Sequence, residues 1–281
     1  MHYQSFLAHV ECEKARSTFE SYANVLRQFA KVFPDPLQVS AEQVSAFLAR
    51  PAGERPRAQT TKRKEHIALR ALYRFLHEQY GAANVMRAVK TPKRPRRVRP
   101  KALSRQEIGQ VLSVIRQPQQ RTIVLLMADA GLRVSEACQL PPSNITLQGP
   151  RRHLRVLGKG DVERLVPIGD RLALRLREEI ARAKEQGWYD ENKPLCRTAT
   201  GAAWNKDKVY NFIAEAGIRA GMGDIHSHRL RHGYACHLYF ERNTPLVIVS
   251  RLLGHASTLV TEDYLGVKEA QLYDAIGDFF D

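Results

Sequence analysis

The chain has 281 residues, 43% of them apolar and 26% charged, a composition that folds rather than one that stays disordered or needs disulfide staples. No apolar run approaches the roughly 20 residues that a membrane helix needs, and the opening MHYQSFLAHVECEKA lacks the order of a secretory signal. The net charge is +15, and residues 1–100 hold 19 basic against 8 acidic side chains, so the excess sits in one third of the chain. Such asymmetry suits a polyanionic partner, because neutralised phosphates release counterions; a basic solvated surface is the alternative.

Cysteines 12, 138, 196 and 236 are too widely spaced for a CxxC pair or a zinc set, and read as reduced, mostly buried thiols. Along the chain, Phe19, Tyr22, Leu26, Phe29 and Val32 recur as one apolar helical face. Ser40 with Gln43 forms a capping box that opens a short helix through Val44, Phe47 and Leu48. From Thr60 to Tyr80, Ile67, Leu69, Leu72, Phe75 and Leu76 form another stripe. Lys62, Arg63, Lys64, Arg70 and Arg74 lie on its opposite face. Residues 87–101 then carry eight basic residues, three prolines and no acid, the mark of an extended linker. Its Lys93, Arg94, Arg96 and Arg97 are candidate phosphate contacts.

Beyond the linker, Ser104 and Glu107 form a second capping box, with Ile108, Val111, Leu112 and Ile115 facing a core. Residues 121–130 are apolar nearly all round, as in a core helix that Gly131 ends. His153–Leu157 and Glu163–Pro167 flank Gly158-Lys-Gly-Asp161 as a β-hairpin. Helices follow at about 170–186, 206–221, 227–241, 245–253 and 257–264, then a terminal apolar set, Leu272, Ile276, Phe279 and Phe280. The fold class is mainly α, with one small antiparallel sheet in the second half.

Four segments concentrate chemistry: Ala130-Gly-Leu-Arg-Val-Ser-Glu136, Val156-Leu-Gly-Lys-Gly-Asp161, His228-Arg-Leu-Arg-His232, and Leu252-Leu-Gly-His-Ala256 with Tyr264 nine residues after its histidine. A cluster of Arg, Lys and His suits a phosphodiester, whose transition state gathers charge on nonbridging oxygens. Arg133 and Arg231 each offer a planar fork of donors that stays charged, and His255 adds a further donor. A zinc protease is excluded, because Arg229 stands where HExxH needs Glu. No GxxxxGK[ST] loop and no carboxylate pair for Mg²⁺ is present.

Together and in this order, the segments resemble the tyrosine recombinase, or phage integrase, family, including its Xer-type members, over essentially the whole chain. The resemblance implies an all-helical, SAM-like core-binding domain over 1–92, a basic linker over 93–100 and a catalytic domain over 101–281. It implies that Tyr264 attacks DNA phosphorus and leaves a 3′-phosphotyrosyl link, with no ATP, metal or other cofactor. It gives Arg133, Arg231 and His255 the phosphate clamp, His228 the tyrosine proton, and Lys159 the protonation of the leaving oxygen. Glu136 supports the cluster. Gly233 and Val260 depart from the family pattern, which has small hydroxyl residues there.

The expected partners are double-stranded DNA, further copies forming a tetramer on DNA or a paired recombinase, and an accessory DNA-bending protein. The expected location is the cytoplasm, at the nucleoid, with no membrane. The terminal apolar set either docks on a neighbouring subunit or packs on its own core. A type IB topoisomerase-like nicking and resealing enzyme, or an architectural DNA-binding protein, are the alternative classes.

Overall fold

The computed structural model describes residues 2–54, 56–93, 101–158, 162–198, 200–255 and 257–265. The chain divides into two units, residues 1–98 and 99–281. In the first, the described residues form α1 (His2–Glu13), α2 (Arg16–Val32), α3 (Ala41–Ala49) and α4 (Gln59–Tyr80). Leu26, Phe29, Val44, Leu69, Leu72 and Leu76 make its core. The Ser40–Gln43 capping box is present, so the orphan amides at the start of α3 are satisfied by side chains. Glu65, buried on α4, is held by Arg50 and Arg57, which ties the end of α3 to α4.

Two residues of the expected stripes face outward. Val32 is 57% exposed, because the α2 stripe continues from Phe29 to Phe33, whose rings pack at 5.0 Å. Ile67 is 46% exposed, because steps of three and four residues along α4 place it with Lys64, Arg70 and Arg74. It sits in the middle of the basic face. Helix α1 has no counterpart in the sequence reading. Its Phe6 and Val10 are buried, but the moment of so short a stripe is weak.

In the second unit, α5 (Arg105–Val114), α6 (Pro118–Asp129) and α7 (Val134–Gln139) lead into a three-stranded antiparallel sheet, β1 (Ile145–Thr146), β2 (His153–Leu157) and β3 (Glu163–Pro167). The expected hairpin strands match in extent, with Val156 opposite Arg164 and Leu154 opposite Val166. Strand β1 is two residues long, too short to leave an alternation in the sequence. Then come α8 (Asp170–Glu185), α9 (Lys206–Arg219), α10 (Ser227–Cys236), α11 (Leu246–Leu253) and α12 (Thr258–Leu265). The helix expected over 227–241 changes to a π-helical turn at His237–Glu241. The core helix α6 buries every residue from Thr122 to Ala128. Of the four cysteines, all free, Cys138 and Cys196 are buried, Cys236 is half-buried and Cys12 is exposed, so burial is less general than the sequence suggested. The terminal set Leu272, Ile276, Phe279 and Phe280 lies outside the described residues. Among the described residues, no helix is long and apolar enough to cross a membrane.

Gly233 has a steric reason. A Cβ there would lie 2.4 Å from the Leu103 carbonyl oxygen, a backbone atom that cannot swing away. Gly233→Ser should therefore lower stability by about 1–3 kcal/mol through overpacking, read as an earlier urea midpoint; an unchanged midpoint would show that the backbone yields freely.

Candidate active site

Arg133 stands at the break between α6 and α7. The break is possible because Gly131 takes φ +63°, and because its missing Cβ leaves room for the Tyr234 ring, which a Cβ would meet at 2.4 Å. The turn aims the Arg133 backbone N–H at Glu136 Oε2, 2.7 Å away, and its Nη1 at Glu136 Oε1, 2.8 Å away. Glu136 also receives both Nη atoms of Arg164, at 3.0 and 2.7 Å. Burial alone would raise the carboxyl, but the hydrogen bonds from Arg164 and from the Arg133 backbone outweigh it and lower its pKa to about 2.

The C-terminal end of α11 completes the arrangement. Gly254, at φ +63°, donates its N–H to Arg251 O, and His255 N–H donates to Ser250 O, the two bonds of a glycine-terminated helix end. Among the described residues the next three carbonyls have no backbone donors, and an arginine takes each of them. Arg164 Nε donates to Leu252 O at 3.0 Å, Arg231 Nη2 to Leu253 O, and Arg133 Nη2 to Gly254 O at 2.9 Å. Arg231, on α10 and 2% exposed, also donates from Nη1 to Gly131 O. Its Nε is buried with no partner among the described residues. Burial lowers the Arg231 pKa to about 10, helped by Arg133, so the group stays charged at neutral pH.

His255 follows directly, with Nε2 3.3 Å from Arg231 Nη2 and Nδ1 2.8 Å from Thr261 Oγ1. Burial, then Arg231 and Arg133, lowers its pKa to about 4. Tyr264, on α12, is edge-on to three imidazoles, with ring centroids 5.3 Å from His228, 4.7 Å from His232 and 5.5 Å from His255. His232 Nε2 donates to the Tyr264 carbonyl at 2.9 Å. The phenol oxygen is buried and makes no hydrogen bond of good geometry to a described residue, yet it lies near enough to Arg231 for that guanidinium to pull its pKa down while burial raises it. Burial, then Arg231, His232 and Arg133, lowers the pKa of His228, which favours its neutral form with one ring nitrogen open to a proton.

The site therefore brings together Arg133, Glu136, His228, Arg231, His255 and Tyr264. Lys159 lies outside the described residues, as do Arg94, Arg96 and Arg97. In the first unit, Lys64, Arg70, Arg74 and Lys93 are exposed and Lys62 is half-buried. Arg63 is half-buried too and donates to Pro92 O at 3.1 Å. A cleft of about 630 Å³ opens beside Arg133, His228 and Arg231 and is also lined by Lys206, Tyr210 and His226. A cavity of about 540 Å³, lined by Asp129, Arg171, His237 and Glu241, contains none of the site residues. Among the described residues, no group of three or more His, Cys, Asp or Glu side chains is placed to hold a metal ion.

The model of the phage integrase family matches residues 101–271, and that of the phage integrase N-terminal SAM-like domain matches residues 3–79. The chain belongs to the phage integrase family. It is 30% identical over 287 residues to a tyrosine recombinase of Thermosipho africanus, covering 98% of this chain and 96% of that one. It is 35% identical over 216 residues to tyrosine recombinase XerA of Thermococcus kodakarensis, covering 74% and 71%. Among solved structures, the XerH site-specific recombinase in a post-cleavage complex with palindromic difH superposes with a TM-score of 0.72 at 22% identity, covering 94% of this chain and 80% of that one. A lambda integrase tetramer bound to a Holliday junction gives 0.71 at 19%, covering 92% and 77%. At these identities the structural likeness is one of fold.

Within this phage integrase fold, the sequence reading missed Arg164, Thr261 and the pocket-lining Lys206, Tyr210 and His226. Arg164 left a signal: it shares the inward face of β3 with Val166, and an inward arginine needs a buried acid. Thr261 left none, being one threonine in a short helix. Since the folded pKa of Glu136 lies below its ordinary 4.5, its stabilisation is present above that value and is lost as pH falls toward 2. Denaturant midpoints between pH 5 and pH 2.5 should fall less steeply in Glu136→Gln than in wild type; parallel slopes would contradict the ion-pair geometry.

Proposed function

We infer that this chain, a site-specific tyrosine recombinase by family, cuts duplex DNA with Tyr264. The phenol oxygen bonds to phosphorus as the bond to the 5′-oxygen breaks, leaving a 3′-phosphotyrosyl link and a free 5′-hydroxyl. The phenol proton passes to His228, and Lys159 gives the 5′-oxygen its proton. Arg133 and Arg231 hold the nonbridging oxygens, where preorganised charge is worth most, and His255 donates a further hydrogen bond. The phosphotyrosyl bond conserves the energy of the diester, so another 5′-hydroxyl rejoins the strand by the reverse step without ATP.

One observation carries this reading. Among the described residues, Arg231 Nε and Tyr264 Oη are two buried polar atoms that make no well-formed hydrogen bond, and they lie close to each other's groups in one cluster of arginines and histidines. Leaving both unpaired costs on the order of 1–3 kcal/mol each, and a bound phosphodiester satisfies the arginine while giving the phenol its electrophile.

The basic face of α4, with Lys62, Arg63, Lys64, Arg70 and Arg74, together with Lys93, Arg94, Arg96 and Arg97, binds the DNA backbone in this reading. Such contacts fix register, and the fold neighbours XerH and lambda integrase are themselves seen bound to DNA. Residues 1–92, 93–100 and 101–281 are then the core-binding domain, linker and catalytic domain. Two duplexes must each be cut twice, which calls for four active sites, so the working assembly is a tetramer on DNA, of this chain alone or with a second recombinase. Its place of work is the nucleoid, in the cytoplasm.

The test is a nicked suicide duplex carrying a site selected from a random pool, incubated in EDTA without ATP and quenched in SDS. Wild type should give an SDS-stable protein–DNA adduct and Tyr264→Phe none, while Arg231→Ala should slow its formation by at least about a hundredfold. Equal adduct from Tyr264→Phe would identify a different nucleophile, and tight binding with no adduct from wild type would contradict the proposed chemistry.

A further inference from the structure

His255 is held from both sides, and its partners define where its proton lies. A guanidinium only donates, so His255 Nε2, 3.3 Å from Arg231 Nη2, is an acceptor. The ring is neutral at pH 7, since burial and Arg231 lower its pKa to about 4. Its single proton is therefore on Nδ1 and is donated to Thr261 Oγ1, 2.8 Å away. Thr261 is fully buried on α12, one turn before Tyr264.

The phosphate clamp needs the other tautomer. To donate to a nonbridging oxygen, Nε2 must carry the proton, and Nδ1 becomes an acceptor. A carboxylate at position 261 could serve only the first state and an ammonium only the second. A hydroxyl serves both, because its O–H rotates while its oxygen stays in place. Valine has the same shape and serves neither.

We propose that Thr261 is a positioning residue that supports both tautomers of His255, accepting from Nδ1–H in the DNA-free site and donating to Nδ1 once Nε2–H turns to the phosphate. The exchange moves one proton from Nδ1 to water and one from water to Nε2, so the ring stays neutral and keeps its contact with Thr261. Arg231 Nη2 is released from Nε2 at the same moment and becomes available to the phosphate. The inference rests on the reading of His255 as a phosphate donor, and it explains why a buried hydroxyl sits six residues after that histidine.

Nitrogen-15 spectra of histidine-labelled protein distinguish the two neutral tautomers and the doubly protonated ring. The measurement uses full-length Tyr264→Phe, free and bound to a duplex selected from a random pool, with and without Thr261→Val. The Nδ1–H form is expected in the free protein and the Nε2–H form in the complex. With Thr261→Val the complex should lose the clean Nε2–H signature, and adduct formation in the Tyr264 background should slow about tenfold. Thr261→Ser should restore both the spectrum and, to within about threefold, the rate. A doubly protonated ring in the complex, or an unchanged spectrum and rate in Thr261→Val, would overturn the proposal. His255→Gln separates the layers. If it cleaves at the wild-type rate, the assignment of His255 falls and this inference with it. If it is slow while Thr261→Val behaves as wild type, only the role of Thr261 falls.

Discussion

The C-terminal end of one eight-residue helix organises this site. Any helix leaves its last carbonyls without backbone donors, and among the described residues α11 leaves three, at Leu252, Leu253 and, just past the helix, Gly254. Arg164, Arg231 and Arg133 take one each. The carbonyl dipoles carry partial negative charge, so the helix end attracts cations while fixing where they point. Among the described residues Glu136 supplies the full negative charge that the arginines share, bidentate with Arg164 and bonded to Arg133. Three like charges are thereby held close together without a substrate. Two of them retain donors for a phosphate, and the third, Arg164, fastens the sheet to the cluster.

That organisation also sets the state of the nucleophile. Cations alone would favour the phenolate of Tyr264, yet burial outweighs them and its pKa stands above the ordinary value. The phenol is therefore protonated in the DNA-free protein, and activation has to come with the substrate. A protonated nucleophile buried beside His228 and His255, whose pKa values are both lowered, stays inert until a phosphodiester supplies the electrophile. His255 follows the same logic, its pKa lowered and its Nε2 accepting from Arg231 in the DNA-free site.

Much of this was legible in the sequence, for physical reasons. Capping boxes at Ser40 and Ser104 and the hairpin strands are local, and local rules describe them. The spacing of Arg133, His228, Arg231, His255 and Tyr264 carried the chemistry, because the reaction limits which residue types can stand there. Val32 and Ile67 were misplaced because a stripe read at mixed spacings drifts round a helix. Arg164 and Thr261 went unseen because their partners, Glu136 and His255, lie on other elements or across a helix break, where only the folded chain brings them within 3 Å. Gly233, a departure from the family pattern by sequence, is a close backbone approach in space.

The central claim is that the arginine cluster is set before DNA arrives. Its most direct test is the rate of guanidinium rotation in the DNA-free protein, measured by nitrogen-15 exchange at the arginine Nη groups. Rotation at Arg133, Arg164 and Arg231 should be slow, with separately resolved Nη resonances, while the exposed Arg70 rotates fast. Fast averaging at all three site arginines would contradict preorganisation and would mean that the substrate itself gathers them.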